Sequence, residues 1–204
     1  MKIKVCGMRN PENIIELSTL KPDFIGFIFY KKSPRYVGDL LPESLTNISA
    51  TKVGVFVNEE IKQICSLANK YNLDAIQLHG KESVETCKLV KRNGLICIKA
   101  FSIEKPEDFE ATIDYDSCAD FFLFDTKTPA YGGSGQKFNW SILEHYKGKT
   151  PFFLSGGISL EDVENIKTLN HPKLYCVDIN SKFETEPAMK NIEQIKKFFQ
   201  QMRT

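Results

Sequence analysis

A thiol at position 6 and a carboxylate at position 125 stand where a reactive group and a packed or capping residue are the two readings to weigh. Cys6 stands in "KVCGM", where a β-like alternation runs into a glycine and a helix begins almost at once. A reactive thiol is the sharper reading of that position. The plainer alternative is a packed cysteine behaving as a small hydrophobe. Asp125 stands in "FFLFDTKTPAYGGSGQKFNW", directly after four apolar residues, where an unpaired charge is costly. The plainer reading is a helix cap or a loop partner for Lys127; after it comes the Gly-rich "YGGSG", either a simple long turn or a loop that closes over a ligand. Arg35, in "KKSPRYVG", carries a fork of donors suited to a carboxylate or phosphate. Gly156 and Gly157, in "SGGI", let backbone amides approach an anion closely. His79, His145 and His171 have no ligand spacing, so no metal site is expected; His79 reads as a hydrogen-bonded structural residue.

These groups need a frame, and the frame is a rhythm of short apolar runs and longer amphipathic ones. The runs are "IKVC", "FIGFIFY", "KVGVFV", "AIQLH", "ICIKAF", "FFLFD", "PFFLS" and "LYCVDI". Between them, "NPENIIELSTL" begins with Asn10 as cap and Pro11 at the first helical position. "EEIKQICSLANKYN" places Ile61, Ile64, Cys65 and Ala68 on one face. "SLEDVENIKTLN" opens like a capping box, and "AMKNIEQIKKFFQQM" closes the chain. The weakest helices are around "LLPESLTNI" and "WSILEHY".

Eight strand–helix units of about 26 residues each imply a parallel sheet closed into a (β/α)8 TIM barrel. An open doubly wound sheet is the alternative, but "CGMRNP" lacks its Gly-rich fingerprint. No linker divides the chain, which reads as a single catalytic domain over residues 1–204. In such a barrel the strand ends surround the active site. The shortlist is then Cys6, Tyr30 with Arg35, Asn58, His79, Phe101, Asp125, Ser155 and Asp178. If Ile3 and Val5 meet the helices, Lys4 and Cys6 point inward, and Asp125 points inward with Phe121 and Leu123. The loops after strands 7 and 8 are where such barrels often bind phosphate.

Composition narrows the function classes. Lys+Arg is 27 against 26 Asp+Glu, a balance that argues against a nucleic-acid surface. The six cysteines form no C-x-x-C pair and read as reduced thiols of a cytoplasmic protein. No signal peptide and no membrane span is visible. The expected partner is a small phosphorylated molecule, with monomer as the default state.

Taken in order, "KVCGM", "SPRYV", "GVFVN", "IQLHG", "FDTKTPAYGGSGQKFNW", "LSGGI" and "VDINSKFE" resemble the motifs of the phosphoribosylanthranilate isomerases of tryptophan biosynthesis. The resemblance spans nearly the whole chain. It implies a cofactor-free Amadori rearrangement of N-(5-phosphoribosyl)anthranilate to 1-(2-carboxyphenylamino)-1-deoxyribulose 5-phosphate. It further implies Cys6 as general base and Asp125 as general acid, with Arg35 on the anthranilate carboxylate. Backbone groups near Gly156, Gly157, Asn180 and Ser181 would hold the phosphate. Asp125 must reach the reaction protonated, helped by partial burial or by the substrate's negative charges.

The chain departs from the family pattern twice. Asn180, Ser181 and Lys182 replace a serine pair followed by glycine, and Arg9 stands where threonine is common. Three rival readings use the same fold. The sister isomerase of histidine biosynthesis carries an aspartate where Cys6 stands and is usually longer. A sugar-phosphate epimerase would want metal-binding histidines at strand ends. A binding protein without catalysis would not need both Cys6 and Asp125.

Overall fold

A computed structural model of the chain describes residues 1–126 and 139–204. Within them the eight apolar runs form eight parallel strands: β1 Lys2–Cys6, β2 Phe24–Ile28, β3 Thr51–Phe56, β4 Ala75–Leu78, β5 Ile96–Ile103, β6 Phe121–Thr126, β7 Phe152–Leu154 and β8 Leu174–Ile179. Each strand pairs with its sequence neighbours, and β1 returns to β8 through Lys4 against Asp178 and Val5 against Ile179. The fold is a closed (β/α)8 barrel. An open sheet would leave two edge strands, and here none of the eight has a free edge.

The two-residue period of a strand splits the core into two. Ile3, Val5, Ile25, Phe27, Ile76, Phe122 and Phe124 face outward into a large cluster shared with the helices. Phe24, Val53, Ala75, Ile98, Leu123, Phe153 and Cys176 face inward and fill the barrel, with Phe24 and Phe153 packed edge-on at 5.0 Å. Further along the same inward faces the filling changes from apolar to polar. Cys6 follows Lys4, Gln77 follows Ala75, Asp125 follows Leu123, and Asp178 follows Cys176. The strands therefore deliver their chemistry to one end.

The opposite end is tied by a repeated device. Asp23, Asp74 and Asp120 each lie just before an even-numbered strand. Their carboxylates accept from the backbone of Ile3, Lys52 and Cys97, near the starts of β1, β3 and β5, at 2.7–2.9 Å. Their own amides donate back to the carbonyls of the same three residues. Both strand ends are thus satisfied without loops of any length.

Among the described residues five connections contain α-helix: α1 Pro11–Thr19, α2 Ile61–Tyr71, α3 Val84–Arg92, α4 Val163–Thr168 and α5 Ile192–Arg203. Asn10 caps α1 through Asn13 N, and Ser159 and Asp162 form the capping box ahead of α4, both as their sequences require. The stretches around "LLPESLTNI" and "WSILEHY" fold only as 3-10 turns, Pro42–Leu45 and Trp140–His145, and the connection after β5 is a 3-10 run, Pro106–Tyr115. In that run Thr112 donates its hydroxyl to the Phe109 carbonyl three residues back, favouring the tighter winding. The end of the chain also differs from its sequence reading. "AMKN" belongs to a short hairpin, β9 Glu184–Glu186 and β10 Met189–Lys190, and α5 begins only after Asn191, whose side chain accepts from Gln194 N. Among the described residues no helix is long and apolar enough to cross a membrane.

Candidate active site

At the polar end of the barrel a cavity gathers all seven residues singled out for chemistry. Cys6, Arg35, Asp125, Gly156, Gly157, Asn180 and Ser181 line it together, with Tyr30, His79, Ser155 and Asp178 from the strand-end shortlist. Asn58 and Phe101 do not line it. Asn58 turns through a left-handed conformation and accepts from Lys81 N, while Phe101 packs edge-on against Tyr115 and Phe122. The Gly-rich stretch 131–135 and Lys127 lie outside the described residues.

Cys6 ends β1 and points inward, 4% exposed. The register sets it opposite Gly26 of β2, and the Gly26 carbonyl receives the amides of Gly7 and Met8, which turns the chain sharply after the thiol. A β-carbon at Gly26 would lie 2.7 Å from the Cys6 sulfur. The absence of a side chain there makes the room for the thiol. Gly26→Ala should therefore lower stability by about 1–3 kcal/mol, because neither rigid strand can yield, read as a lower urea midpoint at unchanged slope.

Beneath Cys6 lies a buried ion pair. Lys4 Nζ donates to Asp178 Oδ2 at 2.8 Å, with the two side chains 0% and 5% exposed. Burial works against the Lys4 charge, but Asp178 and Cys6 more than offset it and its pKa is raised. Burial also pushes Asp178 up, with Lys4 opposing. For Cys6 burial is again the largest influence and pushes the thiol above its ordinary 9.0, while Lys4 and Lys190 pull the other way. Enclosure therefore outweighs the two ammonium groups and favours the protonated thiol.

Asp125 is half-buried at the end of β6, its side chain 16% exposed, and His79 Nε2 lies 3.6 Å from its Oδ2. His79 is hydrogen-bonded, as its sequence position led us to expect, yet it stands on the cavity wall beside the carboxylate.

Arg35 reaches the cavity from the loop after β2 and is locked from behind. Its Nε lies 2.9 Å from both Glu184 oxygens and one terminal nitrogen lies 2.6 Å from Oε2. Glu184 also accepts from Lys190 Nζ, and Lys190 donates to Asn180 Oδ1 at 2.7 Å. Burial opposes the Glu184 charge, but Arg35 and Lys190 overcome it and hold the carboxyl below its usual range. Burial brings Lys190 down to about 8, against the pull of Glu184. The hairpin of β9 and β10 thus braces Arg35 and the Asn180 side chain at once.

Gly156 and Gly157 follow β7 with φ of 98° and 65°, a left-handed pair that favours glycine. Ser181 opens a three-residue 3-10 turn after β8. Lys182 is exposed and does not line the cavity, so it adds charge near the rim without filling the site.

Lys4, Gln77, Glu184 and Lys190 are the residues sequence reasoning did not single out. Lys4 and Gln77 had a signal, since both are polar residues on inward strand faces. Glu184 had none: 149 residues separate it from Arg35, and only the closed fold joins them.

A family model described as N-(5'phosphoribosyl)anthranilate (PRA) isomerase matches residues 3–201. The N-(5'-phosphoribosyl)anthranilate isomerase of Parabacteroides distasonis is 49% identical over 206 residues, spanning 99% of this chain and 93% of that protein. A crystal structure of monomers generated from the dimeric phosphoribosylanthranilate isomerase of Thermotoga maritima superposes with a TM-score of 0.84 at 32% identity, covering 100% of this chain and 98% of that one. A phosphoribosyl anthranilate isomerase bound to reduced 1-(o-carboxyphenylamino)-1-deoxyribulose 5-phosphate does so with a TM-score of 0.82, also at 32% identity, covering 100% and 98%.

Proposed function

Because the chain belongs to the N-(5'-phosphoribosyl)anthranilate isomerase family, we propose that its barrel mouth performs the family's Amadori rearrangement with Cys6 as base and Asp125 as acid. The protein is a phosphoribosylanthranilate isomerase of tryptophan biosynthesis, and the roles of its residues are our reading. One observation carries that reading. A thiol on β1 and a carboxylate on β6 open into the same cavity as a basic residue and two glycine-bearing or turn-forming anion loops.

In this reading protonated Asp125 donates to the furanose ring oxygen as the anthranilate nitrogen pushes the ring open to an iminium. The Cys6 thiolate then removes the proton from C2 of the ribose, and the resulting enolamine tautomerises to the ketone. Arg35 pairs with the anthranilate carboxylate using the donors that Glu184 leaves available. Amides near Gly156, Gly157, Asn180 and Ser181 receive the phosphate. Asn180 suits this role despite its departure from the family serine, since its side chain is turned away to Lys190. Residues 1–204 act as one catalytic domain in the cytoplasm. Among the described residues the large exposed apolar side chains Met1, Ile15, Leu41, Ile113 and Tyr175 are scattered along the chain, in keeping with a monomer, which sedimentation at graded concentrations would test.

The direct test follows loss of N-(5-phosphoribosyl)anthranilate fluorescence with the folded chain. Rapid loss supports the assignment. No turnover, together with conversion of the aminoaldose of the histidine pathway, would overturn it.

Glu184 makes a separable prediction. Glu184→Gln keeps the size of the side chain but weakens the fork that aims Arg35. KM should rise by about 10-fold while kcat changes by less than about 3-fold, because a binding group is loosened and the acid and base are not. Equal losses in kcat and kcat/KM would instead place Arg35 in the chemical step.

A further inference from the structure

Gln77 lies on β4 at the level where the barrel interior turns polar, 2% exposed and on the cavity wall. Two residues on, and so on the same face, stands His79. The Gln77 amide nitrogen is 2.9 Å from His79 Nδ1. An amide nitrogen only donates, so Nδ1 carries the lone pair and the proton of the neutral ring is on Nε2. Nε2 is the atom 3.6 Å from Asp125 Oδ2.

The other half of the amide supports a polar purpose. Gln77 Oε1 is buried with no hydrogen-bond partner among the described residues. A side chain there for its shape alone is better made of methionine or leucine, which bury no unsatisfied oxygen.

We infer that Gln77 is a positioning residue for the acid step: it fixes the His79 tautomer so that Nε2–H faces Asp125. When Asp125 gives its proton to the ring oxygen, the carboxylate left behind meets a donor already aimed at it. The contact shortens as that charge develops. Gln77 touches neither substrate nor proton in this account; it acts through His79. The inference rests on Asp125 as the acid.

The test pairs tautomer with turnover. In wild-type protein labelled with 15N at histidine, the His79 ring should show Nε2 protonated and Nδ1 bare. Gln77→Met keeps the length without the donor, so the tautomers should mix and kcat should fall by about 10-fold, with KM within about 2-fold. Gln77→Glu keeps the shape but only accepts, so it should protonate Nδ1 and lower kcat further. A wild-type ring protonated at Nδ1 overturns the inference, as does unchanged kcat in folded Gln77→Met. Should Gln77→Glu not fold, the methionine variant decides. Failure of the acid assignment is seen separately, as full turnover by Asp125→Asn with the wild-type tautomer intact.

Discussion

Asp125→Asn will cost kcat about 10²–10⁴-fold, the contribution typical of a positioned general acid. The amide matches the carboxyl in size and keeps a hydrogen-bonding group toward His79, so the cavity wall survives. What it lacks is a proton it can release. The furanose ring would then have to open without the positioned donor its oxygen needs. KM should move little, because Arg35 and the two anion loops belong to the connections after β2, β7 and β8 and keep their hold on the substrate. The measurement is steady-state fluorescence decay with the fold checked by thermal melting. A kcat within about 10-fold of wild type would remove Asp125 from the acid role and direct attention to His79, the other proton-bearing group at its side.

Much of this arrangement is legible before folding, and the reason is periodicity. The two-residue alternation of "KIKVC" and "FFLFD" fixes which side chains share a face, so the inward direction of Cys6 and Asp125 follows once the apolar partners are assigned to the helices. The apolar runs are short and β-rich, which marks all eight strands. The helices are less legible. "LLPESLTNI" and "WSILEHY" settle into 3-10 turns although α4 forms over a stretch no longer than either, so length alone does not mark the winding. Long-range polar pairs are the least legible. Lys4 and Asp178 are 174 residues apart, and they meet because closure sets β1 against β8 in one register. The thiol's environment depends on that pair and on Lys190 from the hairpin, so "KVCGM" alone does not give the direction of its pKa.

That direction makes the strongest prediction about Cys6. A thiol pushed above 9.0 is mostly protonated at pH 7, and the base is the minor thiolate. Below the pKa the thiolate fraction grows about tenfold per pH unit, so the rate at which iodoacetamide alkylates Cys6 should climb between pH 6.5 and 8.5, a readout independent of the protonation of Asp125. A depressed pKa would give a flat profile over the same range. Cys6→Ser replaces the thiol with a hydroxyl that scarcely ionises in water, and should lose about 10²–10⁴-fold in kcat. The ammonium of Lys4 is a counterweight that can be removed. Lys4→Met alone would leave Asp178 as a buried carboxylate, at a cost of about 3–5 kcal/mol, so the double variant Lys4→Met with Asp178→Asn is the cleaner probe. It removes a charge that lowers the thiol and one that raises it, and Lys4 is the larger of the two influences. The ascending limb of the alkylation rate should therefore move to higher pH, and kcat/KM at pH 7 should fall. An unchanged profile in the double variant, with Cys6→Ser still active, would mean that the C2 proton leaves to some other group and that Cys6 is only packed against Gly26.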